Sequence, residues 1–149
     1  MPVPRPVLIA LTLAPILAIA AASVIMCDAV TTVVDGELRA TDGALGQWVM
    51  SAPTCHSGEP LGFYGVELRD ADVAWSIRLV RPPGEDPLIS AEALDKEGRS
   101  TVLTAAKCET LDVEIRRTNK RLGRVSLVDG RATIDCPGLQ GELDFASCR

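Results

Sequence analysis

The chain has 149 residues, 47% of them apolar and 23% charged, with a formal net charge of −5. That length suits one domain, and the acidic balance excludes the basic stripe of a nucleic-acid-binding protein and disfavours anionic membrane surfaces. Trp48, Phe63, Tyr64, Trp75 and Phe145 are the only aromatics, so the core has to be built from Val, Leu, Ile and Ala, and covalent cross-links gain weight as a source of stability.

Met1 to Pro6 carries one cationic side chain, Arg5, and residues 7–26 carry no charge. A short positive region followed by an apolar one is the order of a signal peptide, and Ala18, Ala20 and Ala22 supply the A-x-A spacing of a cleavage site. Residues 1–26 therefore read as a signal peptide or apolar targeting segment, and 27–149 as a single disulfide-linked β domain. A retained anchor is the alternative, because twenty uncharged residues just suffice to cross a bilayer. Cys27 directly follows the apolar run, as the lipid-modified cysteine of a bacterial lipoprotein does. Met26, however, places a bulky side chain where that pattern wants a small one. Cys27 is the lipidation candidate, and Met26 decides whether the chain is tethered or released.

Beyond the targeting segment the apolar period is two, not 3.6. Ala29 to Val34 leads into Asp35-Gly36, Glu37 to Ala40 into Asp42-Gly43, and Gln47 to Met50 into Pro53. Asp-Gly pairs favour tight reversals because glycine adopts positive φ freely. Leu61 to Arg69 and Val73 to Val80 follow, the second with Val73, Trp75, Ile77 and Leu79 on one face. Arg81 to Pro87 holds three prolines and has to be an exposed connection. Ser90 to Arg99 is rich in helix formers behind a possible N-cap, so one short helix near 90–98 is an option beside a loop. Thr101 to Ala106, Leu111 to Arg116, Arg124 to Val128, Ala132 to Cys136 and Glu142 to Phe145 complete the series. Eight to ten short strands imply an all-β fold, an antiparallel β-sandwich or small barrel.

Cys55, Cys108, Cys136 and Cys148 are dispersed, without the C-x-x-C spacing of a zinc or redox site. In an exported chain this reads as two disulfides. Three pairings are open. Folding Cys108–Thr118 onto Val125–Cys136 about a basic turn at Asn119 to Gly123 sets Cys108 opposite Cys136 and leaves Cys55 for Cys148. Strand alternation opposes this, because Leu111, Val113 and Ile115 share a face that the even-numbered Cys108 would not.

Candidate chemistry is sparse. His56 adjoins Cys55, but neighbours on a strand point to opposite faces, which defeats a nucleophile and base pair. Asp70 and Asp72 with Glu67, or Glu85 with Asp86, offer hard oxygen ligands for calcium, without the ligand series of an EF-hand; solvated turns are the plainer account. Arg116, Arg117, Lys120, Arg121 and Arg124 gather around one hairpin tip. They suit an acidic partner or lipid headgroup, or they guard an edge against aggregation. Phe63 and Tyr64 alternate, so one ring is expected to face outward. No nucleophile elbow, P-loop or dinucleotide fingerprint occurs, so no catalytic residue, cofactor or metal site is assigned.

In outline the chain resembles small bacterial cell-envelope lipoproteins that carry a β-rich domain behind a signal segment. The expected role is a non-catalytic exported or envelope-associated interaction module in the periplasm, outside the cell or tethered to a membrane. Its partner would be an envelope or extracellular protein or glycan, not nucleic acid, with membrane contact only through the N-terminal segment or a lipid. The alternatives are a small secreted hydrolase with two converging carboxylates, and a secreted protease inhibitor presenting Pro53-Thr54-Cys55-His56-Ser57.

Overall fold

Period-two alternation becomes ten strands in the computed structural model, which describes residues 30–41 and 43–149. The targeting segment over 1–26, Cys27 and Asp42 lie outside the described residues. The strands are β1 (Val33–Ala40), β2 (Trp48–Met50), β3 (Thr54–Ser57), β4 (Gly65–Arg69), β5 (Trp75–Val80), β6 (Leu88–Ala93), β7 (Ser100–Thr104), β8 (Thr110–Leu122), β9 (Val125–Cys136) and β10 (Leu139–Cys148). They form two five-stranded antiparallel sheets, ordered β2-β1-β10-β9-β8 and β3-β4-β5-β6-β7. This is an all-β sandwich. The chain passes from the first sheet to the second after β2 and returns after β7.

The sheets face each other across one apolar layer. Val66 and Leu68 of β4, Ile77 and Leu79 of β5 and Ile89 of β6 are buried from one side. Leu38, Val113, Ile134, Leu139, Leu143 and Phe145 are buried from the other. Each such aliphatic side chain taken out of water stabilises the fold by about 1.5–3 kcal/mol, which makes this layer the main source of cohesion. Gly130 leaves room for Phe145, because a Cβ there would fall 2.7 Å from the ring and 2.0 Å from the Glu114 carbonyl oxygen.

Several expectations are corrected. Residues 90–98 contain no helix: β6 runs over Leu88–Ala93 with an alternating burial pattern and pairs with both β5 and β7. Helix propensity yields there to a place in mid-sheet. Asp35-Gly36 does not reverse the chain. Gly36 sits within β1 opposite Leu143, with φ of +101°, so its conformational freedom serves a close approach to Glu142, not a turn. The basic segment from Asn119 is strand as well, since β8 continues to Leu122 and β9 starts at Val125. Three residues, 118–120, interrupt the ladder between the pairs Arg117–Val128 and Arg121–Ser126.

Two disulfides, Cys55–Cys148 and Cys108–Cys136, are present. The first ties β3 to β10 and so joins the sheets. Beside it the Ser57 N–H donates to the Arg149 carbonyl at 3.1 Å. Cys108 lies ahead of β8, which begins at Thr110, so strand alternation places no constraint on it. Disulfides of this kind form and persist in a non-reducing environment. Among the described residues, no helix is long and apolar enough to cross a membrane.

The two bridges close chain spans of 93 and 28 residues. Loop-closure entropy makes the wider one worth about 4–5 kcal/mol and the narrower about 3–4 kcal/mol. Replacing Cys55 and Cys148 together by Ala is expected to lower the unfolding free energy more than replacing Cys108 and Cys136. Denaturant titration of the two double variants checks the order, and the reverse order would refute the entropic account.

Candidate functional site

Two polar surfaces stand out, and strand register builds both. On the second sheet, residues facing away from the core line up across strands: His56 lies opposite Glu67, Glu67 opposite Arg78, and Arg78 opposite Ser90. Glu67 is nonetheless only 1% exposed. The cover comes from its partners. Arg78 Nε donates to Glu67 Oε2 at 3.0 Å, and Arg69 Nε donates to Oε1. Arg78 also reaches Glu92 at 3.3 Å, and its guanidinium lies 5.7 Å from the centre of the Phe63 ring.

Burial by itself would raise the Glu67 pKa, but the hydrogen bonds and charges of Arg78 and Arg69 outweigh it and hold the carboxyl below its ordinary value. Glu67 is thus a fixed anion rather than a proton donor. It is also spent as a calcium ligand. Asp70 is engaged in its own turn, accepting from the Asp72 N–H at 3.0 Å and from the Ala52 N–H at 3.5 Å. Among the described residues, no group of three His, Cys, Asp or Glu is placed to hold a metal ion. Glu85 and Asp86 are exposed in the loop after β5.

Cys55 points into the core as half of a disulfide while His56 is exposed on the opposite face, so the two do not form a catalytic pair. The segment Pro53-Thr54-Cys55-His56-Ser57 is not a protruding loop. Its last four residues are β3, paired with β4 from Thr54–Arg69 to Ser57–Val66. Phe63 and Tyr64 precede β4 in a bend instead of alternating along a strand, and both are half-buried.

The second surface is the free edge of the first sheet. Tyr64, Arg81, Pro82, Gly84, Val113 and Ile115 are among the residues lining a cleft of about 440 Å³ beside β8. The Arg81 N–H donates to the Tyr64 carbonyl at 2.9 Å, which seats the loop. The Arg81 guanidinium donates to the Val113 carbonyl at 2.9 Å and lies 3.5 Å from Asp112. Glu114, two residues on, pairs with Arg131 at 2.8 Å. Both cleft carboxylates are therefore neutralised.

The cations farther along β8 are different. Arg117 lies 4.8 Å above the Tyr64 ring. Arg116, Arg117, Lys120, Arg121 and Arg124 are all exposed, and none of the five forms a salt bridge with a described residue. The sequence marked these cations; it did not disclose the cleft, because Arg81 and Val113 meet across 32 residues. Comparisons with protein-family models, curated proteins and solved structures find no match to this chain.

Because its folded pKa is depressed, Glu67 contributes stability that is present above the ordinary carboxylate pKa and is lost as the pH falls through the depressed value. Glu67→Gln is expected to cost about 1–3 kcal/mol at neutral pH, with the difference from the parent shrinking in acid. Denaturant unfolding between neutral and strongly acidic pH measures it. A difference that does not change with pH would reject the electrostatic account.

Proposed function

We propose that this chain is an exported, non-catalytic interaction module, a disulfide-linked β-sandwich that binds a partner at or beyond the cell envelope. The observation that carries the reading is how the charges are used. Asp112, Glu114 and Glu67 are each neutralised by arginine, whereas the cations of β8 are left for something outside the described chain.

A carboxylate hydrolase works with two acids of opposed character, one kept protonated. Glu67 is 1% exposed with both oxygens held by Arg69 and Arg78, closed to a substrate, so the reading of a binding module is favoured over that of a hydrolase. Paired strand over Thr54–Ser57 likewise speaks against a loop offered to a protease. Export is supported by the two disulfides and by the charge order of residues 1–26. Lipid on Cys27 would make the module a tethered one.

The test labels thiols in cells with a mass-adding maleimide, before and after reduction. The full chain is expected to shield Cys55, Cys108, Cys136 and Cys148 until reduced, while a chain starting at residue 27 reacts without reduction. Short-range crosslinking in the same cells is expected to give a discrete adduct with another protein or glycan. With Cys27 replaced by Ser in both chains, free thiols at Cys55, Cys108, Cys136 or Cys148 in the full chain would reject export, and a chain that forms no adduct would reject the interaction role.

A further inference from the structure

Resting on the interaction reading, we infer that the outer edge of β8 is a docking strand for an extended acidic segment of a partner protein. β8 has 13 residues and ends its sheet. The other edge strands, β2, β3 and β7, have three, four and five, and β3 is also met by the Arg149 carbonyl. A long edge is a template for adding a strand.

In antiparallel pairing the N–H and C=O of every second residue point away from the neighbouring strand. The Glu114 carbonyl faces Gly130 of β9, so the groups of Val113 and Ile115 face outward. At Val113 this outward carbonyl already takes a hydrogen bond from Arg81. The cleft runs alongside this stretch, and Tyr64, Pro82 and Gly84 give it a wall against which alternate side chains of an added strand pack.

Charge selects the occupant. The line from Arg116 to Arg124 holds five cations that form no salt bridge with a described residue, on a chain whose net charge is −5. A second copy pairing through Arg116 to Arg121 would set like charges opposite each other, which is destabilising, and one pairing about Ile115 would meet Asp112 and Glu114, whose charges Arg81 and Arg131 already take. An acidic strand meets the same cations favourably. An anionic membrane would use the cations but would leave the outward backbone groups and the cleft without a role. The edge is thus closed to its own kind and open to a complementary one.

The experiment measures binding of the oxidised full chain to three labelled octapeptides by fluorescence anisotropy: alternating Glu–Val, alternating Lys–Val, and Glu–Val with alternate amides N-methylated. The Glu–Val peptide is expected to bind about tenfold more tightly than either control. The double variant Arg116→Glu/Arg121→Glu, on exposed positions away from the Tyr64 stack, leaves three cations beside two carboxylates and is expected to abolish the preference for the acidic peptide. Equal binding of the N-methylated peptide would overturn the docking strand. So would binding to phosphatidylglycerol vesicles without peptide binding, or a dimer in sedimentation that the double variant disperses. If no peptide binds while the crosslinked adduct still forms in cells, the docking strand fails and the interaction reading stands; loss of both defeats both.

Discussion

The Cys55–Cys148 bridge is the constraint on which the arrangement of the two sheets depends. The chain changes sheets twice, and each time a half-cystine follows within a few residues: Cys55 after the passage from β2 to β3, Cys108 after that from β7 to β8. Cys55 reaches across from the second sheet to the end of β10, whereas Cys108, just ahead of β8, is bound to the end of β9 within the first sheet. A core built of medium-sized aliphatic side chains supplies cohesion but little directional preference for how the sheets overlap. The Cys55–Cys148 link provides that, and the Ser57 to Arg149 hydrogen bond continues the seam.

With the inner faces committed to packing, the two outer surfaces handle charge in opposite ways. On the second sheet Glu67, Arg69, Arg78 and Glu92 satisfy one another, with Phe63 under the Arg78 guanidinium. In this network each charge has a partner of opposite sign. Along β8, pairing stops at Asp112 and Glu114, and from Arg116 onward the strand is positive without internal compensation. The interruption over residues 118–120 coincides with this change, and Thr118 turns its hydroxyl back onto the Lys120 N–H at 3.2 Å.

Much of this was legible in the residues, and the rest failed for identifiable reasons. Val73, Trp75, Ile77 and Leu79 alternate and are all buried, because a half-buried strand leaves a period of two wherever one face is apolar. Leu88–Ala93 was obscured by Ala, Leu and Glu, whose helical preference is overridden when strands wait on both sides. Asp35-Gly36 carried a turn signal, yet glycine answers equally to a positive φ inside a strand. Glu67 read as a free carboxylate, since Arg78 is brought beside it only by the register of β4 with β5. The cleft was invisible for the same reason. It joins Tyr64, the 81–84 loop and β8, and only the folded topology makes them neighbours.

The connectivity of the bridges is nested: the pair Cys108–Cys136 lies wholly within the span of Cys55–Cys148. Of the four bridged cysteines, a chain that enters an oxidising compartment from its N-terminus exposes Cys55 first and Cys148 last. Joining cysteines in order of arrival would couple Cys55 to Cys108 and Cys136 to Cys148, a pattern in which both bridges are wrong. The native one requires Cys55 to remain a thiol, or to be released by thiol–disulfide exchange, until the last strand arrives. The bridge across the seam between the sheets is thus the one that spans the whole order of synthesis, and it can close only when the final strand is present.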